Sequence, residues 1–402
     1  MKPIIRFRQY NKEWCPFKLN TILVPSNEKN TKGLYSKNDV LSVSGEAGIV
    51  NQIAFQGRSF AGASVLNYGV VNTNDIVYTK SPLRNNPYGI IKTNNGPSGI
   101  VSTLYAIYNC CEESCPQFVD TYFTSSSRTN NYLRPLVRKG AKNDMKVSSE
   151  GALQGNVIFP YKDEQIEIAS YFRTLDAKLQ ASAKKVDSLK KLKSASLVAM
   201  FPQQGKTTPK VRFKGFEGEW IIKSFKELYK RSSIKNDLTY DSSKIISVAN
   251  MYFKEDNMNT DEAYLLTYNV MKLGDIAFEG NKSKSFAHGR FVENSIGNGI
   301  VSHVFVVFSP LNEDYDINFW KYYINNEQVM GSKLVRCTKS STMMTDLVVD
   351  DFLKETILVP SLEEQQEVGR YFATLDRKIA LETARLEKLK QIKLACLDKM
   401  FV

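Results

Sequence analysis

Residues 160–201 and 360–401 of this 402-residue chain carry one segment twice. At an offset of 200, without gaps, PYKDEQIEIASYFRTLDAKLQASAKKVDSLKKLKSASLVAMF lies over PSLEEQQEVGRYFATLDRKIALETARLEKLKQIKLACLDKMF. Seventeen of the 42 positions are identical, where chance would give roughly two or three. Such a repeat confines the fold to two copies of one frame, because each copy presents the same apolar pattern for burial. The frame reaches further. Gly99-Ile100-Val101-Ser102 lies over Gly299-Ile300-Val301-Ser302, and Asp75-Ile76-Val77-Tyr78 over Asp275-Ile276-Ala277-Phe278, again 200 apart. Near the half starts, Arg6-Phe7 and Glu13-Trp14 correspond to Arg212-Phe213 and Glu219-Trp220 at an offset of 206. Between these landmarks the halves share little.

Periodicity gives each part a structure. Tyr171, Phe172, Leu175, Leu179, Val186 and Leu189, with Tyr371, Phe372, Leu375, Ile379, Leu386 and Leu389, mark apolar seams at helical spacing between charged flanks. No Gly or Pro interrupts 161–201, and only Gly369 interrupts the second copy. This predicts two long helices in coiled-coil contact. About 36 helical residues span about 54 Å. Pro160 and Pro360 precede first-turn acids, and lysines crowd the last turns, as the helix dipole favours. VVNTNDIVYT, GIVSTLYAIYN and NGIVSHVFVVF read as strands, and INFWKYYINNEQV and Gln117–Phe123 as short helices. The fold class is α+β. The order along the chain is a globular domain at 1–159, a helix at 160–201, a polar linker at 202–211, a second globular domain at 212–359 and a second helix at 360–402.

Composition bears on the partner and the chemistry. There are 54 Lys+Arg against 42 Asp+Glu, a formal charge of +12, which leans towards a polyanion, nucleic acid first. The six cysteines form no C-x-x-C pair and the two histidines, His288 and His303, stand apart from them, so no zinc site is expected. Incidental thiols in a reducing cytosol are the expectation. The N-terminus has no apolar signal region, and no run of about 18 apolar residues occurs, so neither secretion nor membrane spanning is expected.

Catalytic signatures are lacking. There is no G-x-x-x-x-G-K-[ST] loop and no G-x-G-x-x-G after a strand. Asn86-Pro87-Tyr88 resembles an amino-methyltransferase motif without its second proline and reads as a turn. Asp176-Ala177-Lys178 and Asp376-Arg377-Lys378 have the spacing of metal-dependent nucleases, yet sit on the repeated helix and read as a solvated face. His303 falls in an apolar run and reads as core; His288, in KSKSFAHGR, reads as exposed.

Basic loops at matching places point instead to recognition. Lys80, Arg84, Asn85 and Asn86 follow the first DIVY strand, where Asn281, Lys282, Lys284, His288 and Arg290 follow DIAF. Arg128, Asn130, Arg134 and Lys142 lie in the basic run 128–146, and Lys333 and Lys339 add charge further on. Arg and Lys grip phosphate or read guanine edges, and Asn suits adenine. These are the candidate DNA contacts.

The segment Glu363-Glu364-Gln365-Gln366-Glu367 through Tyr371-Phe372-Ala373-Thr374-Leu375-Asp376, its twin at 163–176, and the starts Tyr10-Asn11-Lys12-Glu13-Trp14 and Phe216-Glu217-Gly218-Glu219-Trp220 resemble the specificity subunits of Type I restriction–modification enzymes. The resemblance covers essentially the whole chain. It implies two target recognition domains, each reading one half of an asymmetric bipartite DNA site, separated by two long antiparallel helices. It implies no activity of the chain alone. Adenine methylation and restriction would fall to two methyltransferase subunits using S-adenosylmethionine and two translocase–nuclease subunits using ATP and Mg, in a bacterial or archaeal cytoplasm. The reading from a different class is a duplicated coiled-coil scaffold or regulatory protein whose basic loops are merely solvated.

Overall fold

Turns cut the β-branched runs of each half into short antiparallel strands. The computed structural model describes residues 1–83, 85–139, 145–255, 261–311, 315–340 and 344–402. It divides into two compact units that do not follow chain order: unit 1 is Met1–Ser182 with Arg385–Val402, and unit 2 is Ala183–Ala384. The long helices, Lys162–Ala199 and Leu362–Lys399, therefore each begin in one unit and end in the other.

Unit 1 contains β1 (Cys15–Lys18), β2 (Leu23–Pro25), β3 (Gly69–Val71), β4 (Ile76–Thr79), β5 (Ile91–Thr93), β6 (Gly99–Val101), β7 (Tyr105–Cys110), α1 (Pro116–Tyr122), α2 (Ser126–Leu133) and β8 (Asn156–Phe159). Four strands form an antiparallel sheet in the order β2-β7-β4-β5, while β3 pairs β6 and β1 pairs β8. Unit 2 repeats the plan with β9 (Ile221–Ser224), β10 (Tyr229–Ser232), β11 (Asn269–Met271), β12 (Ile276–Glu279), β13 (Arg290–Glu293), β14 (Gly299–Val301), β15 (Val306–Pro310), α3 (Ile317–Tyr323), α4 (Glu327–Cys337) and β16 (Thr356–Val359). Its sheet order is β10-β15-β12-β13, with β11 on β14 and β9 on β16.

Each run read as one strand is two. In GIVSTLYAIYN the Tyr105 N–H donates to the Ser102 carbonyl at 3.1 Å, and in NGIVSHVFVVF Phe305 donates to Ser302 at 3.0 Å. Neither turn contains Gly or Pro, so composition did not reveal it. His303, read as core, is consequently exposed on the turn between β14 and β15. The third turn holds Asn74 at φ +74° in unit 1 and Gly274 at φ +85° in unit 2, and the next residue closes it identically. Asp75 and Asp275 accept from the backbone N–H of Asn72 and Lys272, both at 2.7 Å.

Each core forms where the head of one long helix meets the tail of the other. In unit 1, Phe401 packs against Trp14, Phe118, Tyr122 and Phe172, with ring centroids 5.7–6.4 Å apart. In unit 2, Phe201 packs against Phe319, Tyr323 and Phe372 at 5.0–5.8 Å. The two helix segments run antiparallel within each unit. Tyr171 O–H meets Cys396 Sγ and Asp176 meets Lys393 in one; Tyr371 O–H meets Ser196 and Asp376 meets Lys193 in the other. The seam residues named from periodicity are all buried or half-buried. Gly369 is the seam's interruption for a steric reason: a Cβ there would lie 2.4 Å from Asp316 Oδ1 and 2.7 Å from the Phe319 nitrogen, at the start of α3.

Candidate nucleic-acid interface

The repeated residues serve docking. Arg6 grips Glu164 with two hydrogen bonds of 2.7 Å, and Arg212 grips Glu364 with two of the same length. Such bidentate charge-assisted pairs are strong and directional. Ile5 and Val211, the residues just before these arginines, donate their N–H to the carbonyls of Lys399 and Ala199 at 2.9 and 2.8 Å. Each long helix thus has an orphan C-terminal carbonyl satisfied by the start of the unit it enters. Gln165 and Gln365 donate to Pro160 and Pro360 behind them, and accept from α1 and α3 surroundings, Cys115 N–H at 2.9 Å and Trp320 Nε1 at 3.1 Å. Asp176 and Asp376, read as a solvated face, are ion-paired to Lys393 and Lys193, and Asp376 also accepts from Tyr322 O–H at 2.6 Å. The thiols are quiet: burial pushes Cys110 up to about 11 and Cys337 up to about 12.

The hairpin loops β4–β5 and β12–β13 are among the parts whose sequence the units do not share. Both loops close the same way. Leu83 and Asn86 exchange backbone hydrogen bonds at 3.0 Å, and Ser283 and Phe286 do so at 3.0 and 3.2 Å. In unit 2 a two-residue tip results, Lys284-Ser285; Arg84 and Lys142 lie outside the described residues. Each loop returns through a glycine at positive φ, Gly89 at +91° and Gly289 at +76°. A Cβ would stand 2.0 Å from the Thr79 carbonyl oxygen in one and 2.6 Å from that of Glu279 in the other. Only glycine permits that approach. This pair, repeated at an offset of 200, is the sequence signal for the loops that charge alone missed.

The structure divides the candidate contacts into exposed and internally used groups. Asn85, Arg134, Asn281, Lys282, Lys284 and Lys339 are exposed. Asn281 also pairs with Met344 as a β-bridge that ties the base of its loop. Lys80 is half-buried, 3.5 Å from Ser149 Oγ, and burial pulls its pKa down against the opposing pull of Glu150. Asn130 donates to the Asn85 carbonyl at 3.0 Å and braces the loop on α2. Asn86 and His288 are half-buried. Lys333 is half-buried on α4, its pKa lowered by burial. Two arginines have partners inside the fold. Arg128 donates to the carbonyls of Tyr122 and Leu397 and lies over the Phe401 ring. Arg290 pairs with Glu279 at 2.7 Å, donates to the Ala249 carbonyl and stacks over Phe286 at the loop tip. Both cations hold the fold together because buried carbonyls or a carboxylate lie within their reach.

Residues 204–391 match the family model of the Type I restriction modification DNA specificity domain. The first half repeats the same frame, with the same strand order and the same docking arginine. The fold of the whole chain is that of the S subunit of a Type I restriction–modification system from M. genitalium, at a TM-score of 0.56 and 13% identity, covering 100% of this chain and 99% of that one. The HsdS subunit from Thermoanaerobacter tengcongensis aligns over 98% of each chain at 16% identity and a TM-score of 0.49. No curated protein matches the sequence. No helix among the described residues is long and apolar enough to cross a membrane.

Proposed function

We propose that the chain is the DNA-reading, non-catalytic subunit of a Type I restriction–modification complex and recognises an asymmetric bipartite site. Unit 1 reads one half through the 80–89 loop and its α2 neighbourhood, and unit 2 reads the other through the 280–289 loop. The observation that carries this reading is the pair of identically closed loops whose tips differ in sequence. Two identical readers would suit a palindrome, and two diverged readers suit an asymmetric site. Exposed lysines and arginines supply salt-dependent grip on phosphate, and tip side chains supply base choice.

Adenine methylation and cleavage belong, in this reading, to two methyltransferase and two translocase–nuclease subunits, which carry S-adenosylmethionine, ATP and Mg in the cytoplasm. The long helices are the segments those methyltransferase subunits hold. Exposed apolar side chains on them support this, Ile166, Ile392 and Leu394 in unit 1 and Leu192, Val198 and Leu381 in unit 2.

Methylome sequencing of a host carrying Lys284→Ala or Arg134→Ala tests the assignment. Each substitution should alter base preference or methylation level at one half-site, and the two should affect different halves. An unchanged map, or both substitutions acting on the same half, overturns it.

A further inference from the structure

Each unit holds a cleft at the same place, between the last turns of a long helix and the corner joining its two short helices. In unit 1 Lys393 and Leu397 face Tyr122 and Ser125 across it. In unit 2 Lys193 and Leu197 face Tyr322 and Asn325. In unit 1, where the cleft measures about 1220 Å3, the chain's own guanidinium lies on its wall. Arg128 lies 4.5 Å over the Phe401 ring and 4.9 Å over that of Tyr122. Its terminal nitrogens donate to the carbonyls of Tyr122 and Leu397 at 2.8 and 2.9 Å.

Among the described residues, no arginine lines the unit 2 cleft. Arg128 stands three residues after the α2 cap Ser125, and three residues after the α4 cap Asn326 stands Val329. The Leu197 carbonyl receives Asn326 Nδ2 instead, at 3.2 Å, and Lys193 is committed to Asp376. Two acceptors on the walls of this cleft of about 640 Å3 are left without a donor, Glu293 Oε2 and Asn325 Oδ1. Glu293 is only 1% exposed, and its other oxygen accepts from Tyr315 O–H at 3.0 Å. Burial pushes its pKa well above the usual carboxylate range, with Asp316 adding to the rise and Tyr315 and Lys321 opposing it. A buried acceptor without a donor costs about 1–3 kcal/mol. Phe286 and Tyr322 line the same cleft. A carboxyl oxygen, an amide oxygen and aromatic walls together match a planar cation with N–H donors in a fixed fork.

We propose that the unit 2 cleft is a binding site for a guanidinium group, the arginine side chain of a protein partner. The occupant donates to Glu293 and Asn325 and lies against the rings of Phe286 and Tyr322. A lysine would supply charge without the fork. Lys321, which lines the cleft with its ammonium 5.8 Å from the Tyr322 ring, is the chain's own competitor for Glu293.

Met251 lines the cleft, so methionine-methyl NMR of the full chain reads occupancy. Ethylguanidinium is titrated into the wild type, with ethylammonium as control and the buried methyl of Met271 as the report that variants keep their fold. The Met251 signal should shift saturably, with ethylguanidinium at least tenfold tighter than ethylammonium. Glu293→Gln and Asn325→Ala should each weaken it at least tenfold, and Lys321→Met should bind at least as tightly as the wild type. An unmoved Met251, equal affinity for the two cations, undiminished binding by both acceptor variants, or weaker binding by Lys321→Met overturns the proposal. Neither the reading loops nor DNA enters the measurement, so its failure leaves the function proposed above intact.

Discussion

Units 1 and 2 agree in strand order and where the long helices dock, and differ in many of the side chains between. Arg6–Glu164 and Arg212–Glu364 have the same bidentate geometry, and Phe401 and Phe201 occupy corresponding aromatic nests. Outside these joints, Trp14 donates its indole N–H to Glu164 at 3.2 Å, whereas Trp220 leaves its own without a partner. Lys92, buried on β5 beside Asp120, has Val292 at the corresponding place on β13. The difference shows which residues a duplicated frame must keep. A docking joint joins two helices: in each unit the head of one long helix meets the tail of the other, so its residues answer to both helices at once. Loop and sheet-edge residues answer to one unit alone and can diverge.

The aromatic joint should show the largest effect. Phe201→Ala and Phe401→Ala each remove a buried ring, at a cost of about 3–5 kcal/mol. Hydrogen exchange should place the first loss mainly in unit 2 and the second mainly in unit 1. Equal loss in both units from either change would break the idea of two separately held frames. Next comes the charged joint. Glu164 and Glu364 are 2% exposed and their arginines 11% and 17%, so Glu→Ala at either leaves a largely desolvated guanidinium unpaired, at about 3 kcal/mol. Glu164→Ala should cost about 1 kcal/mol more than Glu364→Ala, because it also removes the acceptor of Trp14. Equal costs in urea denaturation would erase that asymmetry. The smallest effect separates the two helices themselves. Gly369→Ala should destabilise by about 1–3 kcal/mol through its clash with the start of α3. In unit 1 alanine already stands at the matching site, Ala169, and is buried; a neutral Gly369→Ala would remove the contrast.

The docking frame was legible because its residues repeat at a fixed offset. Tyr171-Phe172, Glu164-Gln165 and the closing Met200-Phe201 announce themselves twice, and helical periodicity assigned them a seam. The site was legible only in outline. Lys284 and Arg134 were found as exposed cations, but Arg128 and Arg290 carry the same charge in equally basic runs and are spent inside the fold. Nothing local distinguishes them. Arg128 is decided by the Leu397 carbonyl, 269 residues away, and Arg290 by Glu279 across a strand pair. The turns hidden in GIVSTLYAIYN and NGIVSHVFVVF escaped for a related reason, since a serine carbonyl closes them without Gly or Pro.

By itself the sequence determined that one frame is used twice, that two long helices carry it, and that positive charge gathers in loops at matching places. Periodicity and repetition are local and survive in one dimension. Tertiary structure alone decided that each helix is divided between units and which cations remain exposed. It also decided that unit 1 sets Arg128 on the wall of its cleft while unit 2 leaves Glu293 Oε2 and Asn325 Oδ1 without donors. Those outcomes depend on which distant carbonyls and carboxylates are brought within hydrogen-bonding reach, and folding rather than spacing sets that reach.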